Sequence, residues 1–132
     1  MAEGEPTVAQ KANYNWTYTR PVLFVADVNR AIRFYVDVLD FEKKWHEADG
    51  TGTVCQVNRG DTEVILCQDA KRTDKARLFV ELNPQEMARL RREIVERSIP
   101  NQKSWWGYDC IQINDPDGNE WLFPYEDGGQ TP

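Results

Sequence analysis

Few side chains in this sequence are of the types that carry catalysis. There is one histidine, His46, and there are three cysteines, Cys55, Cys67 and Cys110. No serine or cysteine stands beside a base in a nucleophile signature, and no nucleophile elbow occurs. Acids are plentiful, but general acid–base work needs a paired geometry that spacing alone does not supply. The richest chemistry is aromatic. Residues 105–125 read WWGYDCIQINDPDGNEWLFPY, two strand-like runs around a DPDGN turn. Indole faces stack on flat ligands and attract organic cations, so this segment offers binding. The competing use is core. Trp106 is open to both uses, whereas Trp45, Trp105 and Trp121 are expected in the core.

The elements that must position these residues follow from pattern. Residues 21–27, PVLFVAD, form a short apolar run, and Asp27 can cap the helix that follows. Val28, Ala31, Ile32, Tyr35, Val38 and Leu39 fall at helical spacing, which predicts about three turns packed on a sheet. Strands are expected over residues 42–47, 53–58 and 63–68, with Asp49-Gly50 and Gly60-Asp61 as turns. His46 falls in the first of these as a surface residue without chemistry. The pattern then restarts. Residues 76–82 form a strand, and Asn83-Pro84-Gln85-Glu86 starts a helix with Asn83 as cap and Glu86 placed for a capping box. Met87, Leu90, Ile94 and Val95 give its apolar stripe, and Pro100 stops it. Strands follow at 102–105, 108–114 and 120–125.

Each half therefore reads strand, helix, three strands, and the caps Asp27 and Asn83 lie 56 positions apart. Such a repeat organises the whole chain. The expected class is α+β: two βαβββ repeats, about 19–68 and 76–126, forming a half-closed barrel with the helices outside. Its inner side is a natural ligand cavity. Strand alternation puts Trp106, Tyr108 and Cys110 on that side and Gly107, Asp109 and Ile111 on the other. Val22, Phe24, Phe79, Glu81 and Glu120 share the inner parity. Residues 1–18 are expected as an arm, with Tyr14, Trp16 and Tyr18 alternating as in an edge strand or a docking segment, and 127–132 as a tail.

The net charge is −6 and the pI about 4.8, a field that repels nucleic acid and anionic membrane and favours a neutral or cationic small ligand. No apolar run is long enough to span a membrane, and the start MAEGEPTVAQK has no basic segment followed by an apolar block. The cysteines are too few and scattered for a disulfide framework, so buried or half-buried thiols and a cytoplasmic location are expected. The Asn15-Trp16-Thr17 sequon is then a chance match.

At this point the chain resembles the glyoxalase/bleomycin-resistance/extradiol-dioxygenase superfamily, also called the vicinal oxygen chelate fold, over residues 19–126. The family's strand, Asp and helix ending in "FY…LGF" stand here as PVLFVADVNRAIRFYVDVLDF, and its "WG…PDGN" hairpin as WWGYDCIQINDPDGNEWLF. Metalloenzymes of the family hold a divalent ion with four strand residues of His, Glu or Gln type. The motif-matched positions here are Arg20, a position near Leu66, Arg77 or Leu78, and Leu122. None is a ligand, because guanidinium has no lone pair to give and Leu has no donor atom. A site built from Glu63, Glu81 and Glu120 would need a register error at several strands. Calcium at Asp115, Asp117 and Asn119 lacks the remaining oxygen donors. No metal and no cofactor are therefore expected.

The resemblance then implies the metal-free bleomycin-resistance branch, whose members sequester a ligand in grooves between two subunits, with the WG tryptophan at the groove. Carried onto this chain, that implies a homodimer binding an aromatic or cationic small molecule through Trp106, Tyr108, Phe24, Phe79, Trp105 and Glu120. The alternative is a metal-dependent lyase or dioxygenase of the same fold. A dimer that has lost its ligand is a third possibility.

Overall fold

A computed structural model describes residues 18–72 and 74–126. Tyr14 and Trp16 of the expected edge strand, and the 127–132 tail, lie outside the described residues.

The first module consists of β1 (Val22–Val25), helix α1 (Val28–Arg33), β2 (Glu42–His46), β3 (Val54–Arg59) and β4 (Thr62–Gln68). The second consists of β5 (Arg77–Phe79), α2 (Pro84–Glu96), β6 (Gln102–Trp105), β7 (Asp109–Asn114) and β8 (Glu120–Pro124). Each module makes one four-stranded mixed sheet, in the orders β1-β4-β3-β2 and β5-β8-β7-β6. The first strand of each runs parallel to the last, and the other pairs are antiparallel. The two sheets form no closed barrel.

The caps act as their residue types require. The Asp27 side chain accepts the N–H groups of Asn29 and Arg30, and the Asn83 side chain accepts that of Glu86, which satisfies amides the helices leave open. Pro84 opens α2, where no N–H is needed. The first helix continues past Arg33 as a π-helical turn, Phe34–Val38, closed by Leu39 N–H donating to the Phe34 carbonyl at 3.2 Å. Asp40 then takes a left-handed backbone, φ 61°, which ends the helix.

Alternation sorts each strand between a helix-covered face and an open face. Leu23, Val25, Val57, Val64 and Leu66 of the first sheet, and Ile111, Ile113, Trp121 and Phe123 of the second, join both helices in one buried cluster. Leu66 thus faces the core, and the opposite face of β4 carries Glu63, Ile65 and Cys67. Strand β5 ends at Phe79 rather than at 82, so Glu81 leaves the strand and its alternation.

The DPDGN turn joins the modules. Asp115 Oδ1 accepts the N–H groups of Asp117 and Asn119 at 2.9 and 2.8 Å. Its Oδ2 accepts the Tyr35 hydroxyl at 2.7 Å and the Asn119 amide at 2.8 Å. Gly118, at φ +86°, supplies the left-handed residue that returns the chain. Asp117 Oδ1 reaches back to accept Ala26 N–H at 2.8 Å. The Asp115 carboxylate accepts four internal donors, while Asp117 Oδ2 is buried without a hydrogen-bond partner.

Candidate functional site on the open face of the second sheet

Phe79 ends β5 on the open face, 44% exposed. Trp106 and Tyr108 reach it from the β6–β7 connection. Trp106 N–H donates to the Tyr108 carbonyl at 3.0 Å around Gly107, whose φ of +84° a side-chain-bearing residue rarely adopts. Both aromatic rings are thereby turned onto Phe79. The Phe79 and Trp106 rings meet edge to face at 5.4 Å between centroids, and the Phe79 and Tyr108 rings lie parallel at 6.4 Å. Trp106 and Tyr108 remain 42% and 43% exposed, so the cluster is an aromatic surface rather than core.

Charge flanks it. Arg77, two residues before Phe79 on the same face, donates from Nε to Glu120 at 2.7 Å, and its guanidinium lies 5.5 Å from the Trp106 ring centroid. Gln112 and Asn114 of β7 share this face, the amide of one donating to the other at 2.9 Å. Beneath them Leu122 and Cys110 are fully buried. Burial, with Asp109 and Glu81 nearby, pushes the Cys110 thiol up, and burial pushes Cys55 up to about 11, so neither is a ready nucleophile at neutral pH.

The structure brings together four of the expected residues, Phe79, Trp106, Tyr108 and Glu120. It does not bring in Phe24, which lies on the open face of the first sheet under the Arg72 guanidinium, 4.0 Å above its ring. Trp105 is 70% exposed at the end of β6, outside these ring contacts and not in the core as expected. Trp45 is also exposed, and its indole N–H donates to Gln56 at 2.9 Å; only Trp121 of the three is core. Trp106 and Tyr108 sit in a turn, so their common side is set by Gly107 and not by the strand alternation that was expected to align them. Arg77 was missed as a site residue, although its parity with Phe79 signals the placement.

The donor set does not fit a divalent metal. Among the described residues there is no group of three or more His, Cys, Asp or Glu side chains able to hold one. Arg20 pairs with Glu63 at 3.5 Å and Arg77 with Glu120 at 2.7 Å, so the nearby carboxylates face cations already in place. His46 Nε2 is bonded to the Gly52 carbonyl at 2.8 Å.

Two βαβββ modules, each with its own four-stranded mixed sheet, define the fold class, and comparison with known proteins agrees with it. The Glyoxalase/Bleomycin resistance protein/Dioxygenase superfamily matches residues 17–123, and the chain belongs to that superfamily. No curated protein matches the sequence. Among solved structures it is similar to the bleomycin resistance determinant encoded on the transposon Tn5, with a TM-score of 0.66 and 17% identity over 85% of this chain and 99% of that one. The bleomycin-binding protein of Streptomyces verticillus, solved with copper(II)-bleomycin, gives 0.64 and 20% over 86% and 99%. Lactoylglutathione lyase from Agrobacterium tumefaciens gives 0.64 and 17% over 84% and 95%. At these identities the likeness is one of fold.

Proposed function

We propose that this protein is a metal-free small-molecule binding protein, in which a single domain over residues 19–126 sequesters a flat aromatic or cationic ligand. The observation that carries this is the exposed Phe79–Trp106–Tyr108 cluster beside the Arg77–Glu120 pair. Three rings on one face give a stacking platform, and the net charge of −6 favours a cation over an anion. Phe79, Trp106 and Tyr108, with Val22 and Trp45 on the other open face, leave apolar surface that a second copy covers, which makes the working unit a homodimer with ligand grooves between subunits. The proposal extends to a role in antibiotic self-protection or resistance in the cytoplasm, supported by the fold shared with a bleomycin-binding protein. The lyase or dioxygenase alternative lacks a fitting donor set. The test is titration of the protein and of Trp106→Ala with bleomycin and a panel of planar cations. Saturable binding weakened by the substitution supports the function, and no binding by any of them refutes it.

A further inference from the structure

The two modules meet at two junctions related by the internal repeat. At one, the β7–β8 turn reaches the loop between β1 and α1, where Asp117 accepts Ala26 N–H at 2.8 Å and pairs with Arg30 at 3.1 Å. At the other, the β3–β4 turn faces the loop between β5 and α2. That turn is only Gly60-Asp61, between Arg59 of β3 and Thr62 of β4. It is too short to fill the corner that DPDGN fills at the first junction. A cavity of about 500 Å³ opens there instead, with Leu82 and Asn83 on one side and Asp40 and Glu42 on the other. This size lies within the range of small-molecule sites.

The cavity has an apolar floor and an acidic rim. Phe41, Trp121 and Phe123 of the common core reach its floor. Two arginines line it, and both are neutralised: Arg59 pairs with Glu93 at 3.0 Å and Glu86 at 3.7 Å, and Arg89 with Asp40 at 2.8 Å and Glu93 at 3.2 Å. Glu42, Asp61 and Glu81 remain on the rim. Among the described residues, Glu42 has only Lys44 at 3.9 Å, and Asp61 and Glu81 have no ion-pair partner. The uncompensated charge at the mouth is therefore negative, over aromatic edges that accept an apolar body.

We propose that this inter-module cavity is a second small-molecule site, distinct from the aromatic face of the second sheet, for an organic monocation with an apolar body. The ammonium meets the Glu42, Asp61 and Glu81 carboxylates, and the apolar part lies on Phe41, Leu82 and Phe123. Carboxylate ligands of the same shape are repelled by the same rim.

The test uses 4-phenylbutylamine and its anionic counterpart 4-phenylbutyrate, followed by amide chemical shifts of the full chain. The amine is expected to bind with a Kd on the order of 1 mM, as suits a fragment of this size. Its shifts should fall on residues 58–62 and 80–83 and not on 105–110, and the carboxylate should bind about tenfold more weakly or not at all. Glu42→Lys with Asp61→Lys should reverse that order. Should the double variant fail to fold, Asp61→Asn alone should weaken the amine. Shifts confined to 77–79 and 105–110, equal binding of amine and carboxylate, or no saturation would each overturn the proposal. Shifts confined to 77–79 and 105–110 would place the amine on the aromatic face instead; the other outcomes leave ligand binding at Trp106 to its own titration.

Discussion

The indole N–H of Trp121 donates to the Tyr35 hydroxyl at 2.8 Å across 86 residues of sequence. That hydroxyl donates in turn to Asp115 at 2.7 Å. Tyr35 comes from the π-helical turn of the first module, Trp121 and Asp115 from the β7–β8 hairpin of the second, and all three are buried. The relay ties the modules together and sets the DPDGN turn against the first helix.

Replacing Tyr35 with Phe removes one oxygen and keeps the packing. It leaves the Trp121 N–H without its acceptor and takes one donor from Asp115. The expected cost is about 1–3 kcal/mol of unfolding free energy, the range for a buried polar group left unpaired. Urea denaturation of the two proteins at neutral pH measures it. A variant as stable as the parent would show that the relay contributes nothing.

The same relay predicts an alkaline effect. Burial, and then the negative charge of Asp115, hold the Tyr35 phenol well above its ordinary value of 10.0. The folded state therefore keeps a proton that the unfolded chain releases near pH 10. Tyr35's contribution is complete below that pH and is lost as pH rises above it. Cys55, pushed from 9.0 to about 11, acts in the same direction from pH 9.0 upward. The stability gap between parent and Tyr35→Phe should hold to about pH 10 and narrow beyond it. Denaturation at pH 8 to 11 tests this, and a gap that widens would contradict it.

Trp106 is 42% exposed, so Trp106→Ala leaves an open groove and no closed cavity. The melting temperature should move little, while affinity for a planar ligand that the parent binds should fall by about 1–3 kcal/mol, the range for an aromatic anchor. Thermal melts run beside fluorescence titration separate the two effects. A large loss of stability would place the ring in the core, and unchanged affinity would remove it from the site.

Glu93 is buried in α2 and receives both Arg59 nitrogens, at 3.0 and 3.3 Å. Arg59 also donates to the Leu39 carbonyl of its own module at 2.7 Å, so Glu93 is held against the first module through a guanidinium fixed from both sides. Glu93→Ala removes the main carboxylate partner of the partly buried Arg59 guanidinium, leaving Glu86 at 3.7 Å and the Leu39 carbonyl, and is expected to cost about 1–3 kcal/mol. Chemical denaturation checks the loss.

Sedimentation at micromolar concentrations should show a dimer. Trp106→Glu, which puts a charge on the exposed face, should shift it toward monomer. A parent protein that sediments only as monomer would count against a shared groove.

Much of this molecule was legible from its residues because the signals are local. Asp27, Asn83 and Pro84 announce helix starts, alternation announces the strands, and their recurrence announces two modules. Those preferences depend on neighbours a few residues away. The core side was also readable where a strand runs unbroken, as at Ile111 and Trp121. Tertiary structure decided which side chains meet. Gly107 breaks the strand before Tyr108, so only the fold of that turn puts Trp106 and Tyr108 on Phe79. β5 ends at Phe79, so Glu81 leaves the strand's alternation and lines the cavity between modules while staying near Cys110. The partners of Tyr35, Arg59 and Asp117 lie on the other module, and no periodicity within one segment encodes a contact across two. The acidic-rimmed cavity exists only because two turns of unequal length face equivalent loops, a difference that matters once the modules have packed together.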